Sequence, residues 1–151
     1  MYAQKDYGCY YKTEEDMNKI SDSIVDALHQ FHILYIEAIK AHDLNCLISL
    51  YTDDCIMIPP LAEPVSGRRE IIKFMHKQFE ESKEYEISEY DQKFEEVRIF
   101  DEWAYEWGIF KGIFHIRNGS PDIFDSSRVF RILRLQPDGS WKVARVIWQY
   151  L

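Results

Sequence analysis

Cysteine is scarce. The chain has 3, Cys9, Cys46 and Cys55, which cannot all pair within one molecule, and none stands in a zinc-ligand spacing. A disulfide framework is excluded, and the expectation is reduced, mostly buried thiols of the kind a reducing compartment keeps. Glycine and proline are also few, 6 and 5, and no repeat or low-complexity segment is visible. Positive charge is in deficit: Lys and Arg number 18 against 26 Asp and Glu, a formal charge of −8. Phosphate binding needs clustered Lys and Arg, so this balance argues against nucleic acid and against an anionic membrane surface. Long hydrophobic runs are missing as well. The longest charge-free run, Ala27 to Ile36, falls far short of the ~20 residues a membrane span needs. Met1 to Tyr10 lacks the apolar stretch of a signal peptide. Together these absences predict a soluble cytoplasmic protein.

What is abundant is aromatic. The 9 Phe, 10 Tyr and 4 Trp make 15% of a 151-residue chain. Such content excludes a disordered chain, and the length fits one domain with a real core. The rings exceed what a core of this size needs. Residues 1–12 read as a loose arm made sticky by Tyr2, Tyr7, Tyr10 and Tyr11, and residues 13–151 as a single domain.

Thr13 is placed to cap a helix. From Met17 through Ile20, Ile24, Leu28, Phe31, Tyr35 and Ile39 the apolar positions keep a helical spacing, predicting one long helix to about Ala41, unbroken or kinked near Ser21-Asp22-Ser23. Asp43 is placed to cap a second, short helix from Leu44 to Tyr51. Asp53-Asp54 reads as a polar break before a short strand, Cys55 to Ile58, stopped by Pro59-Pro60. A loop to Gly67 and a third helix, Arg68 to Glu81, follow. Beyond Ser82 the pattern alternates. Strands are expected over Tyr85–Gln92, Phe94–Phe100, Trp103–Arg117, Phe124–Gln136 and Trp141–Tyr150, with turns at Asp101-Glu102, Asn118-Gly119 and Pro137-Asp138-Gly139. Helices first and an antiparallel meander after make an α+β plan.

The segments Tyr35 to Leu44, Leu50 to Pro60, Val65 to Ile72 and Leu135 to Arg145, closed by Trp148, narrow the choice. In this order they resemble the SnoaL-like, ketosteroid-isomerase-like branch of the nuclear-transport-factor-2-like superfamily, over roughly residues 20–150. The resemblance implies a cystatin-like, cone-shaped α+β barrel: a strongly curved sheet around the long helix, with a pocket at its open end. It also implies a homodimer through the sheet's outer face. It does not fix function, because the fold hosts isomerases, cyclases, hydrolases and non-catalytic assembly domains.

By the same similarity the odd residues of Trp103–Arg117, Tyr105 and Trp107 among them, face the pocket, and the even ones, including Glu106 and Gly108, face outward. Val129, Arg131 and Leu133 face inward from the fifth strand, and Ala144, Val146 and Trp148 from the last. Tyr35, Met57 and Phe74 complete the wall. A ketosteroid isomerase uses a carboxylate base and an oxyanion hole made by a Tyr and a protonated acid. Only the tyrosine is kept, at Tyr35. The base position falls at Pro59 and the acid position on Arg131, so that mechanism is not expected. For Arg131 two readings stay open. It is paired, for instance with Glu37, or it joins Tyr35 in holding a carboxylate or enolate oxygen. Tyr35 and Arg131 are thus the candidate catalytic residues, and Tyr35, Met57, Phe74, Tyr105, Trp107, Arg131 and Trp148 the candidate ligand contacts. The histidines keep no metal spacing, and no cofactor is expected. The expected partner is a small apolar molecule bearing an oxygen function. The alternative is a non-catalytic dimerisation domain with a vestigial pocket.

Overall fold

The structure, a computed structural model, describes residues 21–151. The tyrosine-rich arm, the Thr13 cap and Cys9 lie outside the described residues. Helix α1 is Asp22–Lys40. Ser21 is extended, at φ −70° and ψ 147°, so this helix starts at Asp22 and does not run through from Thr13. Its stripe buries Leu28, Phe31 and Ala38, with His32 among them. Helix α2, Leu44–Ser49, starts where expected, because the Asp43 carboxylate accepts the Cys46 backbone N–H at 2.9 Å. Helix α3, Arg68–Ser82, buries Ile71 and Met75.

The strands are β1 (Tyr51–Ile58), β2 (Val65–Ser66), β3 (Tyr85–Phe100), β4 (Trp103–Ile116), β5 (Ile123–Leu135) and β6 (Trp141–Tyr150). They form one sheet in the order β2-β1-β6-β5-β4-β3, antiparallel except where β1 runs parallel to β6. Strand β1 begins ahead of the expected Cys55. Its register slips between Tyr51 and Ile56, and the irregularity leaves Asp53 and Asp54 exposed within the strand. The expected break is therefore an outward bulge. Strand β3 is one element where two were expected, since it slips between Phe94 and Glu96 without ending. The two-residue β2 was not expected. It pairs through Met57 and Val65 and closes the edge of β1.

Helix α1 lies across the inner face of the curved sheet, against β3 and β6. The Trp141 indole N–H donates to the Ile24 carbonyl at 3.1 Å and ties β6 to this helix. Leu28, Cys55, Val97, Leu133 and Val143 form the fully buried centre. Cys46 and Cys55 are free thiols, and burial pushes Cys55 up to about 12, which keeps it out of thiolate chemistry. No helix among the described residues is long and apolar enough to cross a membrane.

Candidate functional site

Directly paired residues of neighbouring strands point to the same side of a sheet. Arg131 on β5 is paired with Glu106 on β4, and both are buried, 1% and 0% exposed. Arg131 Nε donates to a Glu106 carboxylate oxygen, and its Nη2 donates to Gln92 Oε1 at 3.3 Å. The other Glu106 oxygen lies 2.6 Å from His32 Nε2. The guanidinium carbon is 5.0 Å from the Phe31 ring, 4.8 Å from Tyr35, 5.5 Å from Phe94 and 5.1 Å from Phe110. Arg131 is therefore inward, as the resemblance implied, and is boxed by aromatic faces. Its counter-ion comes from the adjacent strand and not from Glu37. Burial would push the Glu106 carboxyl up, but the Arg131 charge, the His32 charge and their hydrogen bonds outweigh it and hold the group below its ordinary value.

Beside this box lies a cavity of about 230 Å³ on the inner face. Tyr35 from α1 and Tyr51 from β1 line one part of it, with hydroxyl oxygens 2.7 Å apart. Two hydroxyls carry two protons. One closes the bond between them, which leaves one to donate elsewhere. Burial, and then the neighbouring Tyr35, hold Tyr51 well above its ordinary value, so it stays protonated. The walls are apolar: Met57, Phe74 and Trp148, the last two in edge-to-face contact at 6.2 Å. Tyr35, Met57, Phe74 and Trp148 thus share one cavity. Arg131 does not line it, and stands behind Tyr35 with its charge taken by Glu106.

Tyr105 and Trp107 correct the expected face of β4. Trp107 pairs with exposed Phe130, and the buried positions of β4 are the even ones, Ala104, Glu106, Gly108 and Phe110. The bulky odd residues therefore look outward. The reason is room. On the inner face a side chain at Gly108 would place Cβ 2.1 Å from the Lys93 carbonyl oxygen, so the small residues sit where the next strand crowds in. The outer rings make their own cluster. Tyr105 stacks between Phe100 and Phe130, 5.9 Å from each, and its hydroxyl and the Trp107 indole N–H donate to the Glu96 carboxylate at 3.1 and 3.3 Å. They border an outer cleft of about 510 Å³, open to solvent.

Sequence reasoning missed Tyr51 and Asp125, which line the inner cavity. Tyr51 was hidden because it was read as the end of the short helix, with Asp53-Asp54 as a polar break before a strand starting at Cys55. Asp125 was legible: it keeps the period of Ser127, Val129 and Arg131 along β5. Pro59 leaves the isomerase base position without a carboxylate, and Asp53 and Asp54 face outward, to Arg68 at 3.1 Å and Arg134 at 3.4 Å. His115 sits exposed at a hairpin end, 2.8 Å from Asp122, and His76 is exposed on α3.

A SnoaL-like domain model matches residues 34–146. A search of curated proteins found no match. Among solved structures, a ketosteroid isomerase-like protein from Erwinia carotovora atroseptica SCRI1043 is 20% identical at a TM-score of 0.70, covering 87% of this chain and 98% of that one. A cystatin-like-fold domain of unknown function from Nostoc punctiforme is 13% identical at 0.69, covering 87% and 80%. An NTF2-like protein from Cytophaga hutchinsonii is 18% identical at 0.64, covering 87% and 100%. At these identities the likeness shows the fold alone, the cystatin-like α+β fold of the NTF2-like superfamily. With three-quarters of its length matched by the family model, the chain belongs to the SnoaL-like domain family.

Proposed function

We propose that the protein binds a small, largely apolar molecule in the inner cavity, with a carbonyl or enol oxygen of the guest against the Tyr35–Tyr51 hydroxyl pair. The observation that carries this reading is the pair itself: two hydroxyls 2.7 Å apart, on buried Tyr51 and half-buried Tyr35, with one proton to spare, in a cavity walled by Met57, Phe74 and Trp148. Size sets the guest. A cavity of about 150 Å³ takes a benzene, so 230 Å³ suits a body of one or two rings and not a four-ring steroid. A full carboxylate would need a free cation. Arg131 is paired with Glu106, so a neutral or enolic oxygen fits better. Isomerase-type chemistry on such a guest would keep the Tyr35 donor and draw its base from elsewhere than Pro59.

The test is a calorimetric titration with acetophenone and acetylnaphthalene against the matching ethyl hydrocarbons. The ketones are expected to bind about two- to tenfold more tightly, the worth of one neutral hydrogen bond. Tyr35→Phe with Tyr51→Phe should erase that preference. Binding of neither ketone would sink the reading.

A second role is favoured by the outer face. Trp103, Phe130, Ile147 and Phe100 are 42%, 41%, 46% and 59% exposed. Pairing with a second copy through this face would cover them, and a patch of this kind is uncommon on a free monomer. The two roles are compatible, because cavity and patch lie on opposite sides of the sheet.

A further inference from the structure

We propose that the cavity reads its guest at two points, and that Asp125 is the second: it accepts a hydrogen bond from a hydroxyl or amine at the far end of the same molecule. This rests on the cavity reading above and extends it from a guest with one acceptor to a guest with an acceptor at one end and a donor at the other.

Position comes first. The inward residues of β5 grow more buried along the strand: Asp125 is half-buried, Ser127 and Val129 are 7% exposed, Arg131 is 1% and Leu133 is 0%. Asp125 is therefore at the open end, and Arg131, under the Tyr35 ring, marks the closed one. From Asp125 to Val129, both of which line the cavity, the strand advances about 13 Å at roughly 3.3 Å per residue. That matches the length of a one- or two-ring compound with a substituent at each end. Opposite Asp125 on β4 stands Gly112, where a Cβ would come within 2.8 Å of the Phe114 ring. Glycine there lets the Phe114 ring fold over this strand position beside Asp125.

Chemistry comes second. Asp125 is the only carboxylate lining the cavity among the described residues. No Lys, Arg or His forms an ion pair with it among those residues: Lys111 shares the cavity lining but makes no such pair, and Arg131 is committed to Glu106. Partial burial raises the carboxyl above its ordinary value, and the Ser126 backbone N–H offsets this only in part. A half-desolvated carboxylate with one backbone N–H and no ionic partner among the described residues is a cost to the empty protein, and a guest donor would relieve it. Tyr90 joins the two ends. It lines the cavity, its hydroxyl accepts from Gln92 Nε2 at 3.2 Å, and burial with the nearby Tyr35 and Asp125 pushes it up.

The experiment compares para-hydroxyacetophenone, para-(aminomethyl)acetophenone and para-methoxyacetophenone by calorimetric titration, with acetylnaphthol and its methyl ether as the longer pair. The hydroxyl or amine guest should bind the native protein about tenfold or more tightly than the methyl ether, the scale of a hydrogen bond to a charged group. The larger gain of the two tells which donor the site takes. Asp125→Ala should remove this preference and leave the methyl ether's affinity within about twofold, whereas Tyr35→Phe with Tyr51→Phe should weaken every guest alike. A donor preference that survives Asp125→Ala overturns the proposal, as does equal binding of donor and ether by the native protein. Either result leaves the cavity reading standing. Failure of every guest to bind the native protein overturns both.

Discussion

Arg131 and Glu106 hold each other in place, since each is almost wholly withdrawn from water and each is the other's counter-charge, with the His32 ring hydrogen-bonded to the second Glu106 oxygen. Removing one partner leaves a buried charge. Glu106→Gln is expected to cost about 3–5 kcal/mol in urea unfolding, and the joint change Glu106→Leu with Arg131→Met to recover most of it. Acid should expose the same pair. Glu106 is held below its ordinary value, so its contribution is whole above the unfolded carboxyl pKa of about 4.3 and is lost as pH falls through the lower folded value. Asp125 has the opposite sign. Its folded pKa is raised, so ionisation at neutral pH weakens the fold, and the protein gains relative stability as pH drops through that value. Asp125→Asn should therefore melt higher than the native protein at neutral pH. That advantage should vanish below about pH 3.9, a comparison that thermal unfolding across pH provides. The inward turn of Arg131 was implied by the family resemblance, which supplied the phase that alternation along β5 lacks. Its partner was not, because alternation gives the period of β4 and not its phase. Only the pairing of Glu106 with Arg131 and of Trp107 with Phe130 fixes which set faces in.

At the scale of elements, β4 depends on closeness to β3. Gly108 has no unusual φ, so its need for glycine is one of space, with the Lys93 carbonyl where a side chain would begin. Gly108→Ala should cost about 1–3 kcal/mol by overpacking, read from the urea midpoint, and should shift the bend that β3 makes at Phe94 and Glu96. Most elements were legible because their signals are local. The Asp43 side chain caps α2, and Gly119 and Gly139 take φ of 82° and 85° in the turns that Asn118-Gly119 and Asp138-Gly139 announce. What failed was where a local signal carried the opposite tertiary meaning. Asp53-Asp54 looks like a break and is a bulge that keeps two charges outside, and β2 is too short to have a pattern at all.

For the molecule as a whole, many of the rings among the described residues divide between two sides of one sheet. Phe31, Tyr35, Phe94 and Phe110 box Arg131, with Phe74 and Trp148 on the cavity beside them. Phe100, Trp103, Tyr105, Trp107 and Phe130 lie outside. If the outer rings serve a second copy, Phe130→Glu should turn a dimer into a monomer in sedimentation equilibrium while leaving guest affinity in place. A native protein that sediments as a monomer would remove that role. The account turns on the inner side being the one that binds. The most direct measurement is a crystal structure with para-hydroxyacetophenone bound. The guest ring is expected against Phe74 and Trp148, its carbonyl oxygen within hydrogen-bond distance of the Tyr35 or Tyr51 hydroxyl. A guest lodged instead in the outer cleft beside Tyr105, Trp107 and Phe130, with the inner cavity unoccupied, would contradict it.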